Sequence, residues 1–250
     1  HTDLAEAVRH NTGLNLSPYF PASKMQWIME NVPAAAALAA EHKLVMGTID
    51  SWLLSFLTEE RVLKTDYSNA SRTQLFNIHE LKWDSELCEA FKIPMDALCE
   101  VCMSDACFGT TTLGGYLETP IPIYAVIGDS HAALFGQNCR NPGAIKATYG
   151  TGSSVMMHIG HKPILSENGL VTSLAWGRNG AVDYVLEGNL NYTGAVISWL
   201  KNDVGLIKSD QEATELALRA KKQDRTYFVP AFTGLGAPYW DSSVTAVLSG

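Results

Sequence analysis

PIYAVIGDSHAALFGQNCRNPGAIKATYGTGSS, residues 122–154, is the stretch on which the reading of the whole chain turns. The apolar run at 123–127 predicts a buried strand that ends at Gly128 and delivers the carboxylate of Asp129 to its C-terminal end. Residues 132–137 predict a helix. A turn at Asn141, Pro142 and Gly143 leads into a second apolar strand, and a Gly-Thr-Gly-Ser hairpin closes the stretch. A lone acid at a strand end, followed by a small-residue loop rich in backbone N–H groups and hydroxyls, suits the transfer of a phosphoryl group to an alcohol. The acid takes the proton and the loop holds the phosphates.

Each part of this stretch also has a plainer reading. As a general base Asp129 is worth ~10²–10⁴-fold in rate, and as a helix N-cap it is a common structural choice between a strand and a helix. Gly150-Thr151-Gly152-Ser153-Ser154 is either a phosphate-facing loop, in which glycines let the backbone approach an anion, or a tight β-turn. It is neither a Walker loop nor a dinucleotide fingerprint. Gly128-Asp129-Ser130 also resembles the nucleophile segment of the GDS-type esterases. That chemistry needs an Asp-x-x-His pair late in the chain, but the last histidine is His161 and no such pair follows.

Outward from this centre, strands and helices alternate, which predicts an α/β protein. Helices are expected over residues 3–10, 22–32, 34–42, 49–57, 85–91, 188–204 and 213–220. Strands are expected at 44–46, 75–79, 169–176, 182–186, 226–229 and 244–248. Asn179-Gly180 is a strong hairpin signal. In the 22–32 helix, Met25, Ile28, Met29 and Val32 form the apolar stripe. Residues 65–73, TDYSNASRT, read as a polar loop rich in hydroxyls. Tyr19, Trp27, Tyr239 and Trp240 sit beside loops, where each serves either a sugar pocket or the core. Lys24 and Arg72 are the basic residues nearest polar loops, with solvated surface charge as the plainer reading.

Composition narrows the function classes. A net charge of −8 with no basic patch speaks against nucleic acid as a partner, while leaving room for a phosphate ligand held by backbone amides and magnesium. No apolar run is long enough to span a bilayer, and the polar N-terminus lacks a signal-peptide core, so a soluble cytoplasmic protein is expected. The five cysteines predict reduced thiols rather than a disulfide framework. Cys99, Cys102 and Cys107 make C-x₂-C-x₄-C, but Cys88 and Cys139 supply no fourth metal ligand at a recognisable spacing, and no metal ligand is assigned. Both ends look cut: the chain opens inside a helix without an initiator Met and stops just after a strand. A piece of a longer protein is expected.

Taken together, these motifs resemble a known family. Residues 19–31 (YFPASKMQWIMEN) are similar to the first signature of the FGGY carbohydrate kinases. Residues 47–54, 65–73, 75–79, 132–137, 166–170 and 229–241 look like successive glycerol-kinase blocks, as do Gly128-Asp129 and Tyr149-Gly150-Thr151-Gly152. The resemblance covers essentially the whole chain, in order. It implies a ribonuclease-H-like (actin/hexokinase) architecture of two domains flanking a cleft, here partial. Residues 1–137 would be the C-terminal part of a substrate domain and 138–250 the N-terminal part of a nucleotide domain. It also implies ATP and Mg²⁺ as cofactors, a small polyol or sugar as acceptor, no nucleic-acid or membrane partner and, by analogy alone, a homo-oligomer.

By the same resemblance, Asp129 is the catalytic base and a substrate contact, and Tyr19 is a second substrate contact. Gly150, Thr151 and Gly152 face the ATP phosphates, and Gly194 and Ser198 contact the nucleotide. Three departures stand out. Ser130 replaces the Gln that follows the catalytic acid in glycerol kinases, Ser154 replaces a Phe over the three-carbon substrate, and Ser198 replaces a Gln. A smaller, more polar lining at Ser130 and Ser154 predicts an acceptor of four to six carbons in preference to glycerol. The phosphate hairpin and the adenosine segment of the family would lie outside these 250 residues, so the piece alone is expected to be inactive. The alternatives are a non-catalytic sugar- or nucleotide-binding relative and, third, an esterase.

Overall fold

Leu4, Ala7 and Val8 recur at helical spacing, and residues Thr2–Thr12 form helix α1, with Val8 fully buried. The computed structural model of the chain describes residues 2–223 and 225–250. After α1 come α2 (Ala22–Asn31), α3 (Pro33–Ala40), α4 (Ile49–Leu57), β1 (Lys64–Asp66), α5 (Tyr67–Ala70), β2 (Phe76–Asn77), β3 (Lys82–Trp83) and α6 (Ser85–Ala90). A single 3-10 turn (Met95–Ala97) leads to β4 (Glu100–Cys102), β5 (Thr110–Thr111), β6 (Ile121–Pro122) and α7 (Asp129–Gly136). The long strands follow: β7 (Ile145–Tyr149), β8 (Ser153–Gly160), β9 (Val171–Arg178) and β10 (Ala181–Leu190). The chain finishes with α8 (Gly194–Asn202), α9 (Asp210–Arg219), β11 (Tyr227–Val229) and β12 (Val247–Ser249).

The chain divides into two units. The first takes in the chain up to Ile145 together with Met157–Ser166 and Val171–Leu186. The second comprises Lys146–Met156, Glu167–Leu170 and Glu187–Gly250. The long strands form one four-stranded sheet in the order β7-β8-β10-β9. The Asn179-Gly180 turn joins β9 to β10 with both residues at positive φ (52° and 76°), the geometry a two-residue hairpin requires and the reason this dipeptide predicts one.

In the first unit, β1 pairs in parallel with β4, Thr65 facing Val101. One core cluster gathers Val8, Ala22, Met25, Leu75, Leu87, Phe91 and Ile93, so α1, α2 and α6 bury their apolar faces against a common centre. A second gathers Ala70, Phe76, Ile78, Leu174 and Tyr184. It carries α5 onto β9, a strand buried residue after residue from Val171 to Gly177. Gly177 is needed at that contact, since a Cβ there would lie 2.5 Å from the Tyr67 ring. In the second unit, Trp199 of α8 stacks on Phe228 and meets Phe232, with centroids 5.3 and 5.1 Å apart, and ties α8 to β11.

Several expectations are corrected. Residues 123–127 are not a strand and Tyr124 is exposed. The segment is extended but bonded to a loop at irregular spacing, Ile123 to Gly109 and Phe108, and Val126 to Ser104, so no ladder forms. Residues 188–190 continue β10, and the helix expected from 188 begins at Gly194. Of the α2 stripe, Met25 and Met29 face the core while Ile28 and Val32 are exposed. Residues 44–46 make a single bridge, Met46 to Leu98, rather than a strand. Residues 65–73 are no solvated loop: Thr65, Asp66, Ser68, Ser71 and Thr73 are all buried.

Candidate active site

In the first unit, Asp129 is the first residue of α7, and its carboxylate is exposed. Gly128, not Asp129, occupies the N-cap position, and no side chain caps the helix there. Oδ1 of Asp129 accepts from the N–H of adjacent Ser130 at 2.6 Å. The acid is therefore at a helix N-terminus, where a negative charge is favoured, with its second oxygen open to a partner. Ser130 is half-buried beside it. His131, next in line, is buried, with Nε2 3.4 Å from the Ser173 hydroxyl. Its Nε2 is thus turned to β9, and the late Asp-x-x-His pair an esterase needs is absent from the sequence.

Tyr19 is exposed in the loop before α2, its ring edge-on to Phe20 with centroids 5.2 Å apart. Two cations hold this loop. Lys24 donates to the carbonyls of Tyr19 and Phe20, each at 3.2 Å. The Arg72 guanidinium lies over the Phe20 ring at 5.3 Å and reaches the Ser173 hydroxyl at 3.5 Å. Lys24 and Arg72 are thus structural clamps, not idle solvated charge. Contacts run from Tyr19 through Phe20, Arg72 and Ser173 to His131, two residues from Asp129.

In the second unit, β7 turns into β8 through Gly150-Thr151-Gly152, closed by the Gly150 N–H donating to the Gly152 carbonyl at 2.9 Å. A Cβ on Gly152 would lie 2.7 Å from the Leu190 carbonyl oxygen, so no larger residue fits there without movement. The start of α8 docks on this loop. Gly194 N–H donates to Gly150 O at 2.9 Å, and Thr193 and Ala195 N–H donate to Thr151 O at 3.0 and 3.1 Å. The Thr193 hydroxyl lies 3.0 Å from Gly150 O and 2.9 Å from the Ser153 hydroxyl. The Gly150 and Thr151 carbonyls, which would repel phosphate oxygens, are spent on the start of α8, and the Gly152 carbonyl on the Gly150 N–H. What remains for an anion is the exposed Thr151 hydroxyl and the N–H groups of Thr151 and Gly152, a donor set that fits phosphate. Ser198 is exposed one helical turn beyond Gly194 on α8. The structure thus gathers Gly150, Thr151, Gly152, Gly194 and Ser198 at one corner of this unit.

Ser154 is half-buried on β8, and its hydroxyl donates to Glu187 Oε1 at 2.8 Å. Glu187, buried on β10, was not singled out by sequence reasoning, because a lone acid inside a strand carries no spacing signal. Also missed is Asp66, fully buried at the end of β1, whose carboxylate caps α5 through the N–H groups of Ser68 and Asn69. Burial pushes its carboxyl above the ordinary value, against the hydrogen bonds from Ser104, Asn69 and Ser68, which pull it down. The run Asp-Tyr-Ser-Asn is itself an N-cap signature and could have revealed it. Trp240 is structural, its indole N–H donating to the Gly169 carbonyl at 2.6 Å. Cys99, Cys102 and Cys107 turn to different carbonyl or carboxylate partners.

Residues 2–136 match the N-terminal domain of the FGGY family of carbohydrate kinases, and residues 145–250 match its C-terminal domain. The chain belongs to this family. It is 49% identical over 247 residues to glycerol kinase 1 of Thermotoga maritima, covering 99% of this chain and 50% of that protein. It is 47% identical to the glycerol kinase of Chromobacterium violaceum, covering 99% of this chain and 49% of the relative. The chain therefore spans about half the length of these relatives. Among solved structures it is similar to Plasmodium falciparum glycerol kinase with ADP, with a TM-score of 0.84 and 34% identity over 98% of this chain and 49% of that one. A xylulose kinase from Lactobacillus acidophilus, 21% identical over 98% of this chain and 49% of that one, shares the fold at a TM-score of 0.78. The family member is glycerol-kinase-like, with the α/β fold of the actin-like, ribonuclease-H-like class. Among the described residues, no helix is long and apolar enough to cross a membrane.

Proposed function

We propose that the protein to which this chain belongs transfers the γ-phosphoryl group of ATP to a hydroxyl of a small polyol or sugar, glycerol or larger. The observation that carries the proposal is Asp129. It is an exposed carboxylate at the first position of α7, free of capping duty and with one oxygen uncommitted to Ser130. In this reading Asp129 accepts the proton of the attacking hydroxyl, and Tyr19, Ser130 and Ser154 contribute to the acceptor site. Gly150, Thr151, Gly152, Gly194 and Ser198 serve the nucleotide. ATP would supply the phosphoryl group and its ADP leaving group at the Gly150–Gly152 loop, and a bound Mg²⁺ would supply charge neutralisation there. Support comes from the donor set at the Gly150–Gly152 loop and from the identity to glycerol kinases along the chain. In the same reading residues 1–137 belong to a substrate domain and 138–250 to a nucleotide domain, in keeping with a change of family model between residues 136 and 145.

The test is Asp129→Asn in the native full-length protein, assayed with ATP, Mg²⁺ and a panel of polyols and sugars. A lost base is expected to lower kcat by ~10²–10⁴-fold while acceptor binding, followed by calorimetry, persists. An unimpaired kcat would remove Asp129 from the mechanism. A wild-type protein that binds acceptor but transfers no phosphate would favour a non-catalytic relative.

A further inference from the structure

The carboxylate of Asp66 is met by five donors. Oδ1 accepts from the Ser68 hydroxyl at 2.8 Å, the Asn69 N–H at 3.0 Å and Asn69 Nδ2 at 2.8 Å. Oδ2 accepts from the Ser68 N–H at 3.0 Å and the Ser104 hydroxyl at 2.6 Å. A carboxylate so surrounded acts as acceptor only, so Ser68 and Ser104 each spend their proton on it and keep their lone pairs. Backbone amides fill those lone pairs. Gly128 N–H donates to Ser68 Oγ at 2.8 Å, and Gly177 N–H donates to Ser104 Oγ at 3.0 Å. Two relays therefore leave one buried carboxylate. One ends on β9. The other ends on the residue immediately before Asp129.

Gly128 is held from both sides. Its N–H is fixed by Ser68, and its carbonyl accepts from the Ala132 N–H at 2.8 Å to open α7. A Cβ at this glycine would stand 3.1 Å from His131 Nδ1 and 3.6 Å from both Ser68 Oγ and Asn69 Oδ1. The α5 segment that makes this clamp is itself anchored, since Ser71 Oγ accepts from Leu174 N–H on β9 at 3.1 Å. Polarisation by a buried charge strengthens each bond of such a relay.

We propose that Asp66, acting through the Ser68 hydroxyl, is a positioning residue that fixes Gly128 and thereby the direction in which Asp129 leaves α7. The inference rests on the reading of Asp129 as the base. The Ser104 hydroxyl supplies an internal control, because it makes the same pair of bonds to Asp66 and to a backbone amide but serves β9 instead, while the Ser104 carbonyl that accepts from the Val126 N–H is kept in Ser104→Ala.

Ser68→Ala, Ser104→Ala, Ser68→Thr and Asp129→Asn are compared in the native full-length protein by kinetics, thermal melting and hydrogen exchange over residues 126–133. Ser68→Ala is expected to lower kcat by about 10–100-fold with the KM for ATP held, since misplacing a reacting group by a fraction of an ångström costs on that scale. Exchange at 128–132 should quicken. Ser104→Ala is expected to lose a similar amount of Tm but keep kcat within about threefold and leave exchange at 128–132 unchanged. Ser68→Thr, which keeps the hydroxyl, should restore activity. Equal kcat for the two alanine variants, or unaltered exchange at 128–132 in Ser68→Ala, overturns the proposal. If Asp129→Asn stays active, it is the base reading that fails, and the exchange comparison still decides whether Ser68 holds the segment. Should Ser68→Ala not fold, Asp66→Asn takes its place with the same two readouts.

Discussion

Gly194 donates its N–H to the Gly150 carbonyl at 2.9 Å, and a Cβ on Gly194 would lie only 2.6 Å from that same oxygen. The oxygen is backbone, so it cannot swing away as a side chain does. Gly194→Ala must therefore push the Gly150–Gly152 loop off α8. If this loop receives nucleotide phosphates, the KM for ATP should rise and kcat/KM fall by up to about 10²-fold. Steady-state kinetics at varied ATP check this, and an unchanged KM would remove the loop from the nucleotide site.

Ser154 and Glu187 make the second testable pair. The Ser154 hydroxyl donates to a buried carboxylate, a bond of the charged class worth about 1.5–3 kcal/mol. Ser154→Ala should lower stability within that range in chemical denaturation. Ser154→Phe both removes the donor and adds a ring, so it should shift the kcat/KM ratio towards glycerol over five-carbon polyols. A panel in which glycerol is already clearly the best wild-type acceptor would sink the view that Ser154 enlarges the site.

Lys24 is expected to act on the acceptor alone. It holds the Tyr19 and Phe20 carbonyls, so Lys24→Met should loosen the Tyr19 loop and raise the acceptor KM several-fold. The KM for ATP should stay put. A change confined to ATP would show that the loop does not serve the acceptor.

The cysteines should separate by burial. Burial pushes the Cys88 thiol from an ordinary value of 9 up to about 12, with the charge of Asp84 adding to it. The folded state thus favours the protonated thiol. Its stabilising contribution is complete below pH 9 and is lost as pH rises through about 12. At neutral pH a thiol reagent should modify exposed Cys107 readily and reach buried Cys88 and Cys99 only after unfolding, measured by mass spectrometry of labelled peptides. Labelling of Cys88 as fast as Cys107 would contradict the buried placement.

Helix periodicity carried much of the fold. α1, α4 and α6 lie within a residue or two of their expected spans; α1 and α6 have apolar stripes that one core cluster absorbs, whereas α4 buries Leu54 and leaves Ile49, Trp52 and Phe56 exposed. Asn179-Gly180 announced its hairpin through the positive φ it tolerates. Misreadings arose where partners are distant in sequence. Residues 123–127 look like a strand, but their bonds go to a loop at 104–109 rather than to a ladder. Residues 65–73 look soluble, but the hydroxyls of Thr65, Ser68, Ser71 and Thr73 are answered inside the first unit.

By itself the sequence determined the family and the α/β class and singled out Asp129 and the Gly150–Gly152 loop as candidates, since motif spacing and local backbone preference are properties of neighbours along the chain. Only the tertiary structure decided what those residues are attached to. It made Gly128 the cap of α7 and left Asp129 exposed. It spent the Gly150 and Thr151 carbonyls on the start of α8, turned Ser154 to Glu187, and buried Asp66 where two serine hydroxyls link its carboxylate to distant amides. Buried polar groups must find partners wherever the fold brings them, and those partners can lie 103 positions away in the chain, as between Ser71 and Leu174.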